Sequence, residues 1–184
     1  AGDYVTLRDL FDEVGVDVTR YFFLMRRPEA QLTFDLDLAL DHSEKNPVYK
    51  VQYAHARMCS IFRKAGVEAD DIDGNSADLA LLQRPAELDL TKLLLRFPEV
   101  VQTAASKRAP HSVCDYLEEV AGSVNSWYHG GNLDRDLRVV GVPEPLSRAR
   151  LVLARAVQQV LANGLELLGI SAPVRMDRDD EVVV

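Results

Sequence analysis

Side chains that bind metal, move protons or attack carbonyls are few and scattered in this chain. The four histidines are His42, His55, His111 and His129. His55 and Cys59 stand four residues apart, and His111 and Cys114 three, so each pair falls on one helix face. Two such pairs are the raw material of a zinc site, but neither has the short CxxC or HExxH spacing that makes one specific. No metal is therefore expected. Asp35 with Asp37, and Glu118 with Glu119, are neighbouring carboxylates without the signature of a glycosidase cleft. Ser112 and Ser126 lack a nucleophile-elbow context. No GxGxxG or GxxxxGK motif cradles a phosphate, and Gly130-Gly131 reads as a turn. No catalytic residue is assigned, and these 184 residues alone are expected to catalyse nothing.

The bulk composition narrows the function further. With 47% hydrophobic and 27% charged residues, the profile is that of a soluble globular chain. The net charge of -8 argues against a general nucleic-acid binder, whose footprint is basic. The charge is uneven, however. Residues 1–45 carry 5 basic against 10 acidic side chains, residues 46–108 carry 9 against 8, and residues 109–184 carry 7 against 11. The middle segment has room for a local basic face. Cys59 and Cys114 fall in apolar helical patterns and are expected as buried, reduced thiols of a cytoplasmic protein. No uninterrupted apolar run approaches the ~20 residues of a membrane span, so no membrane contact is expected. The first residues, Ala1-Gly2-Asp3-Tyr4, do not read as a signal peptide, and the missing initiator Met suits a processed or excised piece.

The elements that must position any site read as helix after helix. Thr6 caps a short helix through Val14, with Asp9 at the capping-box position. Asp17 caps a second, from Val18 to about Arg27, and Asp35 or Asp37 opens a turn or two through Leu40. Asn46-Pro47 is the sharpest start signal: Asn caps, and Pro takes the first helical position where its missing N–H costs nothing. The helix it opens runs about 20 residues to Gly66. Residues 67–75 are an acidic surface loop. A short helix is expected from Ser76 to Gln83 and another from Glu87 to Phe97, with Pro98 kinking or restarting it toward Lys107. Pro110 opens a long helix that His129-Gly130-Gly131-Asn132 should break. Residues 133–146 are a loop, and Ser147 caps a last long helix ending at Gly169. The fold class is all-α: an antiparallel helical bundle over residues 46–176, a small helical appendage over 1–45, and a loose acidic tail over 177–184. Trp127 continues the apolar stripe of Val120 and Val124 and is assigned to packing, which leaves its neighbour Tyr128 facing outward.

Three stretches then carry a resemblance to class I arginyl-tRNA synthetases of the bacterial type. The first is residues 5–15 (VTLRDLFDEVG) followed by 17–26 (DVTRYFFLMR). In that family such a segment lies directly after the KMSKR loop. The second, residues 46–57 (NPVYKVQYAHAR), is similar to the opening of the family's DALR-type anticodon-binding domain. The third is residues 161–169 (LANGLELLG) followed by 172–176 (APVRM), similar to its last helix and terminal turn. The family joins arginine to tRNA(Arg) with ATP and magnesium, and the resemblance implies that this ligase chemistry precedes Ala1, with no cofactor in the present residues. It implies a connector over 1–45 that packs on the catalytic domain of the same chain, and a bundle over 46–176 that reads the anticodon loop of tRNA, in a cytoplasmic and monomeric enzyme.

The resemblance also assigns roles. It places Tyr128 against the anticodon loop and Met176 beside it, with Gly169 and Pro173 freeing the terminal turn to fold back and Ile170 and Val174 anchoring it. On the Asn46 helix, Gln52 pairs with His55 and Tyr53 with Arg57 at helical spacing, and one of the two pairs is expected to face RNA. Arg148, Arg150 and Arg155 on the last helix are candidate phosphate contacts. Relatives commonly finish at the residue matching Met176, whereas here eight residues follow, four of them acidic. Two rival readings fit the helical pattern: a protein-interaction bundle without RNA, and an anticodon-binding domain of another class I synthetase such as the cysteinyl or methionyl enzyme. A self-contained hydrolase would need a converging catalytic cluster that the sequence does not suggest.

Overall fold

The computed structural model describes residues 5–31 and 33–176, and the proposed acidic tail, 177–184, lies outside the described residues. Among those described, the regular structure is helical, with no strand. Helices α1 (Leu7–Val14), α2 (Val16–Leu24) and α3 (Leu36–Leu40) form the appendage. Thr6 caps α1 through a complete capping box with Asp9. Helix α2 begins two residues before the expected start, with Gly15 rather than Asp17 at its N-cap. Asp17 thus sits in the first turn with its carboxylate free to bond elsewhere. Asp35 caps α3 by accepting from the Leu38 amide at 3.0 Å.

The bundle is built on α4 (Pro47–Ala65), α7 (His111–Leu133) and α8 (Glu144–Leu168), with α5 (Pro85–Leu95) and α6 (Phe97–Lys107) along one side. Asn46 accepts from the Val48 and Tyr49 amides at the head of α4, and Gly66 ends it in the left-handed region where a Cβ is costly. Val48, Val51, Ala54, Met58, Ile61 and Phe62 recur along α4 and meet Val113, Leu117, Val120 and Val124 of α7 and Ala154, Val157, Leu161 and Leu165 of α8 in one core. Tyr21 of α2 enters that same core fully buried, its hydroxyl within 3.3 Å of both the Cys114 carbonyl and a Glu118 carboxylate oxygen. The appendage is therefore packed into the bundle. Cys59 and Cys114 are buried and unbridged, and burial pushes the Cys114 thiol up to about 12.

Four expectations about elements need correction. Only a short 3-10 turn, Leu79–Leu81, forms where a helix over 76–83 was expected. The chain restarts at Phe97, with Arg96 as the joint between α5 and α6. Helix α7 does not break at His129-Gly130-Gly131-Asn132 but continues to Leu133. Those glycines serve close packing: a Cβ on Gly131 would come 3.3 Å from the Arg138 Cα, and the Gly131 carbonyl accepts from Arg138 Nε at 2.9 Å. Helix α8 starts a turn before Ser147, whose hydroxyl instead donates to the Val139 carbonyl at 2.7 Å. By length and composition alone α8 is also apolar enough to cross a membrane, although no uninterrupted apolar run marks it. Here that apolar stripe, Ala149, Leu153, Ala154, Val157, Leu161, Leu165 and Leu168, lies in the core.

Candidate nucleic-acid interface

Helix α4 presents two neighbouring stripes beside its core face, and they diverge in role. Tyr53, Arg57, Ser60 and Lys64 follow one another at helical spacing and line an open basin of about 410 Å³. Tyr128 of α7 and Arg175 and Met176 of the terminal segment close it, with Ala56 and Arg63 at its edge. Among the described residues the lining holds four cations, Arg57, Arg63, Lys64 and Arg175, and no carboxylate. In a chain of net charge -8 this is a local concentration of positive potential.

The aromatic part of the basin is rigid. The Arg57 guanidinium lies between two rings, 4.6 Å from the Tyr53 centroid and 4.5 Å from the Tyr128 centroid. It also donates to the Asn125 side-chain oxygen, so its plane is fixed by three partners. Tyr53 stacks on Tyr49 with centroids 5.8 Å apart. Lys64 Nζ reaches the Tyr128 hydroxyl at 3.5 Å. Trp127, one residue earlier on α7, is only 4% exposed and packs into the core, whereas Tyr128 is half-buried at the basin wall. On its other side Tyr128 borders a second groove of about 400 Å³, walled by Ile61, Trp127, Leu137, Val139 and Val140 and sharing Lys64 with the basin. Held rings, one clamped guanidinium and three further cations can stack a flat base and meet phosphates.

Of the residues singled out from sequence, Tyr53, Arg57, Tyr128 and Met176 converge on this basin. The other four go elsewhere. Gln52 donates to Asp17 Oδ2 at 3.1 Å and to the Ser171 carbonyl at 3.0 Å. His55 is 2% exposed, its Nδ1 at 3.0 Å from the Pro173 carbonyl and its Nε2 at 2.9 Å from Gln158 Nε2. Burial lowers its pKa and favours the neutral ring. Arg148 pairs with Glu144 one turn back, beside an acidic groove formed with Glu68, Asp71 and Asp73. Arg155 pairs with Asp70 at 2.7 Å and with Gln158.

Arg150, also expected to face phosphate, is 1% exposed and cannot. Its Nε bonds Glu87 at 2.6 Å, and its Nη1 donates to the Asp136 and Arg138 carbonyls at 2.6 and 2.8 Å. Of the two expected apolar anchors Ile170 is buried, whereas Val174 is 61% exposed and Ala172 packs against the core in its place. Sequence reasoning missed Arg63, Lys64 and Arg175. The first two were within reach, because the stripe that begins at Tyr53 and Arg57 continues at Ser60 and Lys64. His55 and Cys59 do approach each other, with Sγ 3.9 Å from Nδ1. Among the described residues, no group of three or more His, Cys, Asp or Glu converges on a point.

Comparison with known proteins meets this geometry from the other side. The model of the DALR anticodon binding domain matches residues 51–176, a span that contains every described residue of the basin lining. The chain is 51% identical over 179 residues to the arginine–tRNA ligase of Geobacter metallireducens, covering 96% of this chain and 30% of that protein. It is 50% identical over 176 residues to the arginine–tRNA ligase of Bordetella petrii, again covering 96% of this chain and 30% of that protein. The chain thus spans about 30% of the length of these curated relatives. Its backbone superposes on the arginyl-tRNA synthetase of Thermus thermophilus with a TM-score of 0.76 at 36% identity, over 95% of this chain and 28% of that one. The match along two thirds of the sequence, on an all-helical bundle that carries this basin, assigns the chain to the DALR anticodon-binding family, in the form found in arginyl-tRNA synthetases.

Proposed function

We propose that the basin receives a splayed-out base of the anticodon loop of tRNA(Arg), within an arginine–tRNA ligase whose aminoacylation site lies outside these residues. The observation that carries this reading is the convergence of Tyr53, Tyr128, Met176 and four cations around a cavity whose lining, among the described residues, has no carboxylate. Tyr128 offers a ring face for stacking. Met176 is unbranched and polarisable, and closes on a base without strict shape matching. Lys64, Arg63 and Arg175 meet the phosphates on either side. The groove beyond Tyr128, walled by Val139 and Val140, gives the next nucleotide an apolar surface. ATP and magnesium act in the longer ligase, in the cytoplasm, and no residue of this chain is assigned to them.

The connector, residues 1–45, supports a second contact. Helix α1 buries none of its residues in the bundle, and Leu7 is 51% exposed beside Phe11 and Val5. This stripe suits docking on the catalytic domain of the same ligase, while residues 46–176 serve the anticodon loop. The test is titration of anticodon stem-loops from arginine and non-arginine tRNAs into this chain at one fixed salt concentration. Preferential binding of the arginine stem-loop, weakened by Tyr128→Ala, is expected. Equal binding of all stem-loops overturns the arginine specificity, and no binding even at low salt overturns the reading and returns the bundle to a protein-interaction role.

A further inference from the structure

The wall that brings Arg175 and Met176 to the basin is not part of any helix. After Gly169 and the buried Ile170, residues 171–176 cross the bundle without regular structure. Among the described residues no backbone–backbone hydrogen bond holds this stretch, the last before it being Ile170 N–H to the Leu165 carbonyl at 2.9 Å. Its backbone polar groups are met by side chains instead. Gln52 donates to the Ser171 carbonyl at 3.0 Å, His55 to the Pro173 carbonyl at 3.0 Å, and Arg63 to the Val174 carbonyl at 3.0 Å. Gln52, His55 and Arg63, with Cys59 between the last two, form the second stripe of α4, adjacent to the one that lines the basin. Asp17 of α2 grips the start of the stretch by accepting from the Ser171 amide at 3.1 Å and from its hydroxyl.

We propose that residues 171–176 are a strap latched onto α4, and that His55 is the positioning residue that sets Met176 and Arg175 at the basin wall. The inference rests on the anticodon-loop reading for its purpose, but the latch itself is a property of the chain without RNA.

The polarity of the surrounding hydrogen bonds fixes what His55 does. A carbonyl only accepts, so the Pro173 oxygen requires a proton on Nδ1. Nε2 is then the acceptor for the Gln158 amide N–H at 2.9 Å. The Gln158 oxygen is in turn held by Arg155, and Arg155 by Asp70 at 2.7 Å. Each link orients the next in one direction, from the acidic 69–71 turn to the strap. Past Ser171, where Asp17 and Gln52 hold the start of the strap, the other bond comes from Arg63, a long and exposed side chain. His55 is the one donor that is itself buried and held at its far nitrogen, so it fixes the register of the three residues that follow Pro173.

The test separates the two ring nitrogens. Asn places its amide N–H near the Nδ1 position, whereas Gln places it near Nε2. The variants His55→Asn, His55→Gln and His55→Leu would be made in protein carrying 13C-methyl methionine, with Met25 on the appendage as the internal reference. In the absence of RNA, His55→Gln and His55→Leu should move the Met176 methyl resonance toward its solvent-exposed position, and His55→Asn should leave it near the wild-type place. If His55→Leu fails to fold, the Asn and Gln pair carries the comparison. An unmoved Met176 signal in His55→Gln, or an equal shift in both amide variants, overturns the latch.

With the arginine anticodon stem-loop, His55→Gln should weaken binding by roughly 3- to 10-fold, the range one hydrogen bond supports. That loss should vanish when Met176→Ala is already present. A moved methyl signal with unchanged RNA affinity in a stem-loop that does bind overturns the positioning role. If no stem-loop binds even wild type, the function proposed for the basin fails, and the methyl spectra still decide the latch.

Discussion

Arg57 and Arg150 are both buried arginines of the same bundle, and they are held in opposite ways. Arg57 at the basin is clamped by two aromatic rings and a neutral amide, with no carboxylate among its described partners. Its guanidinium lines an open cavity. Arg150, where α5 meets α8, is locked to Glu87 and to two backbone carbonyls, each side chain of the pair at most 2% exposed. Its charge is cancelled inside the fold. The contrast teaches that an arginine on an amphipathic helix is a phosphate candidate only if no carboxylate of the fold reaches it first. Arg148 and Arg155 lie between these cases, each paired at the surface, with Glu144 and Asp70.

The sharpest way to break this comparison is at Arg150. Arg150→Ala strands the Glu87 carboxylate and should cost ~3–5 kcal/mol in chemical denaturation, while the double change Glu87→Leu with Arg150→Met should cost far less. RNA affinity of the folded double variant should be unchanged. Weakened RNA binding there would place Arg150 in the interface and dissolve the distinction. At the next scale stands Tyr128→Ala, which should reduce anticodon stem-loop affinity by ~1–3 kcal/mol with little effect on unfolding. Its neighbour Trp127→Ala should do the reverse, with ~3–5 kcal/mol lost from stability. If Tyr128→Ala unfolds the bundle and Trp127→Ala does not, the facing of the two rings is reversed.

The smallest expected effect is one of pH. Burial lowers the pKa of His55 below its ordinary 6.5, so the folded state keeps the ring neutral while the unfolded chain takes up a proton. Stability from this group is complete above that ordinary value and falls as pH drops through it. Glu118, raised by burial, contributes in the opposite sense at lower pH. The difference between wild type and His55→Asn across pH 5–8, the window set by His titration, isolates the histidine. A pH-independent difference would mean that folding leaves the ring's pKa unshifted, and a difference that grows as pH falls would mean that the fold favours the charged ring.

Helix ends were legible because local chemistry decides them. Thr6 with Asp9, Asn46-Pro47, Gly66 and Gly169 each act within a few residues of themselves. The outward facing of Tyr128 was legible from the stripe of Val120, Val124 and Trp127. What local pattern could not decide was competition from distant partners. Gly130-Gly131 has the composition of a break, yet the helix continues because the 135–138 segment packs on its backbone. Gln52 and His55 look as polar as Tyr53 and Arg57, and only the position of the terminal strap separates the pairs. Arg150 resembles Arg148 in sequence, but Glu87 lies 63 positions away.

The close fit of Gly131 against Arg138 bears on how this protein can be engineered. The segment between α7 and α8 is short of regular structure and at first sight a natural place to insert a tag or lengthen a linker. Yet the Asp136 and Arg138 carbonyls it carries are the ones that solvate the Arg150 guanidinium. An insertion within 134–138, or a side chain added at position 131, would lift those carbonyls and leave a charge in the interior short of acceptors. The connection is a structural ligand for a buried cation, and insertion scanning should find it far less permissive than the mostly exposed 73–78 stretch.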